Sequence, residues 1–200
     1  PSIGIAIPAG PDTLADDLLK QADVAMYQSK AAGRNTMRFF DPQMQTAVDH
    51  NAFVDRELRE ALRLDQFLLH VQPQVRADGL IRGAEVLLRW QHPVRGLVPP
   101  GDFIAQAEES GQIVPIGAWV LERACRQLAA WSRDPLLAGI TLSVNVSAKQ
   151  LHERTFAELV LALIDRTGAN PRRLMLELTE SSLATEVESI IDKMNRLRDR

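Results

Sequence analysis

Three oxygen-bearing side chains could bind a cation together: Glu85 in IRGAEVLLRW (81–90), Asn145 in GITLSVNVS (139–147) and Glu177 in RLMLELTE (173–180). All three segments read as strands. Asn145 and Glu177 stand near the C-terminal ends of theirs, the end that carries the site in barrels of parallel strands. Carboxylate and amide oxygens suit hard divalent cations such as magnesium, manganese or calcium. There is no Cys/His cluster for a structural zinc.

A second pair of polar groups lies within AEVLLRW (84–90). Side chains at i, i+2 and i+4 of a strand share a face, so Glu85, Leu87 and Arg89 point one way. Ala84, Val86, Leu88 and Trp90 point the other way, toward helices. Four residues of extended chain put Glu85 and Arg89 about 13 Å apart, too far for a direct ion pair. Either they contact separate parts of one extended ligand, or both are solvated on a surface strand.

The elements that must position these residues follow from periodicity and capping. SIGIAI (2–7) reads as a strand and PAGPD (8–12) as a turn. Thr13 with Asp16 resembles a capping box, and Leu14, Leu18, Leu19, Ala22 and Met26 share a helical face that Gly33 closes. Asp41 and Pro42 start a second helix. It runs about 36 Å to Leu64 if unbroken; a break near His50–Asn51 is the alternative. A domain boundary is placed within it. FLLHVQPQV (67–75) alternates as a strand, and QHPVRGLVPPG (91–101) reads as a loop. Helices are expected over 102–111, 115–131, 149–168 and 184–198. From residue 81 onward the order is strand, helices, strand, helix, strand, helix. That order implies parallel strands with crossover helices, an α/β architecture.

Composition narrows the classes. The 200 residues are 46% hydrophobic and 24% charged, which argues against disorder and allows one large domain or two small ones. A net charge of −3 and a pI of 5.8 argue against a nucleic-acid partner. The single cysteine, Cys125, forms no internal disulfide; it has the helical spacing of a core residue, and a reducing, cytoplasmic setting follows. No apolar run reaches the roughly 18 residues of a membrane span. The chain begins on Pro1 with a strand, so it reads as a piece of a longer protein whose sensory or membrane segment could lie upstream.

Five linked stretches then resemble one family. EVLLRW, HVQPQV (70–75), VPPGDFIAQAEESGQI (98–113), LSVNVSAKQL (142–151) and LMLELTES (174–181) look like the N-terminal part of an EAL-domain cyclic-di-GMP phosphodiesterase, over about residues 57 to 200. SIGIA, followed by LLKQADVAMYQSKAAGRN (18–35), resembles the C-terminal end of a GGDEF, or diguanylate cyclase-type, domain. The resemblance implies a GGDEF remnant over 1–40, a helical linker over 41–56 and an EAL part over 57–200. The implied fold is a partial TIM-like (β/α) barrel preceded by a strand–helix remnant of the GGDEF α/β domain.

The activity implied by resemblance is metal-dependent hydrolysis of cyclic-di-GMP to pGpG with two Mg²⁺ or Mn²⁺ ions. Glu85, Asn145 and Glu177 match metal ligands. Glu85 and Glu180 match the catalytic set, Glu180 as a glutamate that steadies a neighbouring loop. Gln72 and Arg89 match substrate contacts, and Leu87 lines the same pocket. Lys30 and Arg34 match contacts to nucleotide phosphates; they also read as one helical turn apart, or equally as a solvated helix end. A second copy through the EAL domain is an implied partner.

Two departures qualify this. The motif reads E-V-L rather than E-A-L, and Val86 belongs to the helix-facing set, so the change should affect packing. The chain ends at Arg200, before the family's DDFGTG segment, its lysine and its later glutamate. About 145 residues stand where a barrel takes about 250. The expectation is a half barrel, inactive and poorly stable alone. Two other readings stay open: a degenerate EAL domain that binds cyclic-di-GMP as a receptor, and a regulatory module of a cyclase.

Overall fold

The computed structural model describes residues 1–10, 13–178 and 187–199. They form two compact units, Pro1–Arg56 and Glu57–Arg200.

In the first unit, β1 (Ser2–Ile5) leads into α1 (Ala15–Ala31) and then β2 (Thr36–Phe39). β2 carries no sequence signal, because four residues are too few to show a period. It pairs in parallel with β1, from Ser2 opposite Thr36 to Ile5 opposite Phe39. Gly4 lets α1 lie against β1, because a Cβ there would collide with the Ala22 carbonyl and the Met26 amide. The expected capping box does not form. The Thr13 hydroxyl donates back to the Gly10 carbonyl at 2.8 Å, and Leu14 takes the N-cap position without a side-chain cap. Leu14 and Leu19 are exposed, and the buried positions of α1 are Ala25 and Ser29.

The helix α2 (Pro42–Arg63) begins as its sequence indicates, with the Gln43 amide donating to Asp41 Oδ1 at 2.8 Å. It passes His50–Asn51 without a break, since no Gly or Pro interrupts it, and the division between the units falls inside it. It ends where Asp65 adopts a left-handed φ of 53°. The Gln66 amide then reaches the Ala61 carbonyl at 2.9 Å and the Asp65 amide reaches that of Leu62 at 3.5 Å, closing the last turn.

In the second unit, one sheet has the order β3 (Phe67–Val75), β4 (Ile81–His92), β6 (Thr141–Val146), β7 (Leu174–Leu178), with β5 (Gly96–Val98) paired to the end of β4. β4, β6 and β7 are parallel, as the alternation of elements implies. β3 runs antiparallel to β4. Only residues 76–80 join them, too few for a crossover to a parallel neighbour. Between β5 and β6 come α3 (Ile104–Ser110) and α4 (Ile113–Trp131); α5 (Ala148–His152) and α6 (Phe156–Thr167) link β6 to β7, and α7 (Val187–Arg198) follows.

Two boundaries differ from expectation. The stretch 91–101 is not a plain loop. β4 continues to His92 and turns back into β5, with His92 opposite Gly96. His92 Nδ1 accepts from the Val94 and Arg95 amides, each at 3.1 Å, and so organises the turn. The single helix expected over 149–168 is two. Glu153, at φ −59° and ψ 130°, leaves helical geometry and ends α5. Because both helices bury their apolar side, with Leu151, Phe156, Val160 and Leu163 all inside, the stripe reads as continuous across the break.

The core of this unit lies on one side of the sheet. Ala84, Val86 and Trp90 of β4 and Leu142, Val144 and Val146 of β6 are buried there, with Ile116, Leu121, Ala124 and Leu128 of α4. Val86 is 4% exposed, so the variant residue of the E-V-L motif belongs to this packing.

Candidate functional site

The other side of the sheet collects the chemistry. Glu85 stands opposite Ser143, and Asn145 opposite Glu177, in the parallel registers of β4, β6 and β7. Gln72 stands opposite Glu85 in the antiparallel register of β3. Directly paired residues share a face, and so do residues two apart along a strand. Gln72, Glu85, Leu87, Arg89, Ser143, Asn145 and Glu177 therefore lie on one face. Glu85, Leu87, Arg89 and Glu177 are half-buried, while Gln72 and Asn145 are exposed.

One hydrogen bond ties the acidic strands together. Asn145 Nδ2 donates to Glu85 Oε1 at 2.7 Å, across 60 residues of chain. Arg89 turns away from Glu85 and donates through Nη1 to the Leu88 carbonyl at 2.8 Å. The strand geometry that separates these two charges is thus accompanied by separate partners.

The end of β6 is held firmly. Ser147 caps α5: its Oγ accepts from the Gln150 amide at 3.3 Å, and Gln150 Oε1 accepts from the Ser147 amide at 3.2 Å. Gln150 is buried against α4 at Gly117, where any Cβ would overlap its carboxamide. The cap fixes the chain two residues beyond Asn145. A cleft of about 300 Å³ opens beside it, lined among others by Leu87, Leu88, Ile113, Gly117, Val120 and Asn145.

The donor set fits a hard divalent cation. Two carboxylates and a carboxamide converge on adjacent parallel strands, with no thiolate or imidazole among them. Among the described residues no group of three His, Cys, Asp or Glu side chains stands close enough to hold a metal. The candidate donors are two acids and an amide. Ser143 adds a further polar group on this face. It is 1% exposed, and its hydroxyl has no hydrogen-bond partner among the described residues. Leaving such a group unpaired costs about 1–3 kcal/mol.

Other residues singled out in the sequence stand elsewhere. Glu180 lies outside the described residues. Lys30 is exposed in the last turn of α1, but Arg34 lies beyond the helix end at φ 64°. The one-turn spacing read for this pair is therefore not realised, because Gly33 has already ended the helix. Cys125 is buried, as its spacing indicates. Burial, with Glu122 adding to it, pushes its thiol up to about 11.

Ser143 was readable, since strand alternation alone puts it on the face of Asn145. The buried His92, with Nε2 2.9 Å from Glu57 Oε1, gave no signal, because its segment looked like a loop.

The family model for the EAL domain matches residues 55–200. The chain is 38% identical over 199 residues to the cyclic di-GMP phosphodiesterase PdeR of Escherichia coli, covering 98% of this chain and 30% of that one. It is 39% identical over 197 residues to the bifunctional diguanylate cyclase/cyclic di-GMP phosphodiesterase MucR of Pseudomonas aeruginosa, covering 98% and 29%. The chain thus spans under a third of the length of these curated relatives. Among solved structures, the PaMucR phosphodiesterase in complex with c-di-GMP superposes with a TM-score of 0.69 at 38% identity, over 73% of this chain and 59% of that one.

Proposed function

We propose, from the premise that this chain belongs to the EAL domain family, that its polar sheet face is part of a site that hydrolyses cyclic-di-GMP to pGpG. The observation that carries the reading is the convergence of Glu85, Asn145 and Glu177 on one face, with Asn145 bonded to Glu85 at 2.7 Å. Relatives named as cyclic di-GMP phosphodiesterases at 38% and 39% identity support it.

In this proposal Glu85, Asn145 and Glu177 hold Mg²⁺ or Mn²⁺. When bound, such ions neutralise phosphoryl charge and lower the pKa of a water. The chain's own residues orient and select. Asn145 holds one oxygen of Glu85 through its 2.7 Å hydrogen bond. Gln72, across the register from Glu85, contacts the substrate on the β3 side. Arg89, two strand positions past Leu87 on the same face, offers a charge-assisted donor to a phosphate oxygen. Leu87 lines the same pocket. Glu180 steadies a neighbouring loop.

We further propose that residues 1–40 are the end of a GGDEF domain, joined through a helical linker over 41–56. The parallel β1–β2 pair with α1 supports this. So does the bifunctional relative, whose similarity covers 98% of this chain whereas the EAL model begins at residue 55. Lys30 and Arg34 are then candidate phosphate contacts of that domain.

The test is the complete protein with Mg²⁺ or Mn²⁺ and cyclic-di-GMP, following pGpG, with Glu85→Ala as control. Cation-dependent pGpG that vanishes in the control is expected. Tight cyclic-di-GMP binding without pGpG would replace the enzyme reading with a receptor.

A further inference from the structure

The hydroxyl of Ser143 is an anomaly of this sheet. Its strand neighbours Leu142 and Val144 are fully buried and apolar, and Ser143 itself is 1% exposed. Packing alone would be served by alanine, which fills almost the same volume and brings no polar atom. The hydroxyl instead sits inside with no partner among the described residues. A buried polar group without a partner works against folding.

Its location suggests the partner. In register, Ser143 stands between Glu85 on β4 and Met175 on β7. Met175 offers only a thioether, so Glu85 is the one strong acceptor at its own register level. The Glu85 side chain leans instead to the diagonal neighbour, Asn145, which occupies Oε1. A carboxylate has roughly four lone-pair positions, and one amide bond leaves the rest free. A hydroxyl rotates to suit whatever acceptor is presented to it.

We propose that Ser143 is a positioning residue of the cation site: its buried hydroxyl, unpaired among the described residues, turns to the Glu85 carboxylate as a second donor beside Asn145 when the cation is bound. This rests on the reading of Glu85, Asn145 and Glu177 as cation ligands. Two donors from one strand, at positions 143 and 145, fix both the tilt and the twist of the Glu85 carboxylate, where one donor leaves it free to swing. Groups that hold a ligand in place in this way commonly set metal affinity without touching the metal.

The experiment titrates the complete protein with Mn²⁺ by calorimetry, without nucleotide, and records the melting temperature without cation. Ser143→Ala should weaken Mn²⁺ binding about tenfold, while the cation-free melting temperature stays level or rises because an unpaired hydroxyl has gone. Ser143→Thr keeps the hydroxyl and should restore most of the affinity. Ser143→Cys keeps the volume with a weak donor; it should weaken binding in the same direction even if the alanine variant fails to fold. Binding within twofold of the unaltered protein in the alanine or cysteine variant overturns the role of Ser143 alone. No Glu85-dependent Mn²⁺ binding in the unaltered protein overturns the cation reading as well.

Discussion

Asn145 and Glu85, 60 residues apart in the chain, share a 2.7 Å hydrogen bond because β4 and β6 pair in parallel with Asn145 two residues beyond Ser143, the partner of Glu85. The bond depends on that register. A one-residue slip of β6 would send Asn145 to the buried side and bring Val144 or Val146 to Glu85. The site and the apolar core are therefore enforced by the same pairing.

Replacing Asn145 separates two effects. Asn145→Ala removes a proposed cation ligand and the donor to Glu85, and should lower pGpG formation by at least about a hundredfold. Asn145→Asp sets a second carboxylate against Glu85, so the two charges repel. The melting temperature without cation should fall, and its rise on adding Mn²⁺ should exceed that of the unaltered protein. Thermal melts with and without Mn²⁺ decide it; an equal rise in both proteins contradicts the assignment.

Gly117→Ala tests the seat of α5. The added methyl overlaps the Gln150 carboxamide, and overpacking of this kind costs about 1–3 kcal/mol. Because Gln150 also completes the cap two residues beyond Asn145, cyclic-di-GMP turnover should fall together with stability. Urea denaturation and a turnover assay on the same sample measure both. Loss of stability with unchanged turnover would detach the cap from the site.

Cys125 predicts alkaline behaviour. Burial, with Glu122 adding to it, raises its thiol from 9.0 to about 11. A raised folded value means that the stabilising contribution is fully present below the unfolded value near 9 and is lost as pH rises through about 11. Stability should fall across that window, and Cys125→Ala should flatten the fall. At pH 8 the thiol should react with an alkylating reagent only after denaturant is added. Prompt alkylation of the folded protein would refute this.

Asp65 predicts acid behaviour, on a smaller scale. Its hydrogen bond to Arg123, 2.7 Å to each carboxylate oxygen, holds its carboxyl below the usual 3.8 against an opposing desolvation, with the guanidinium charge and Trp119 adding to the lowering. A lowered folded value gives stability that is present above the unfolded value and is lost as pH falls through the folded one. The pair is exposed, so the effect should stay under about 1 kcal/mol. Trp119 donates to Asp65 Oδ1 at 3.3 Å, so its fluorescence should report the loss between pH 4 and lower values. In Asp65→Asn that acid transition should be absent.

Much of the site could be read before any coordinates. Strand alternation placed Glu85, Leu87 and Arg89 on one face and Val86 on the other, because a period of two leaves no choice once the strand is known. Boundaries set by single dihedral angles could not be read in this way. The break at Glu153 falls inside an apolar stripe that continues across it, so no periodicity marks it. The capping box at Thr13 failed for a related reason. Its hydroxyl found the Gly10 carbonyl first, a competition between near neighbours that composition does not decide. β2 was missed because four residues carry too little pattern, and its pairing with β1 is a property of the fold. The antiparallel course of β3 could be anticipated from its short connection to β4, yet which of its residues faces Glu85 required the register.

That short connection has an evolutionary consequence. The five residues between β3 and β4, with Gly79 at φ 81°, together with the register shift between Gln74 and Val75, determine that Gln72 and not Val71 or Pro73 stands across from Glu85. Among the described residues β3 pairs with β4 alone, so a change in its register, at the expense of the buried Phe67, leaves the pairing within the parallel trio of β4, β6 and β7 unaltered. Inserting or deleting a single residue in this turn would exchange the side chain offered to the ligand while leaving Glu85, Asn145 and Glu177 untouched. Ligand preference in such a sheet can therefore drift by changes in loop length, with no point mutation in the three proposed ion ligands.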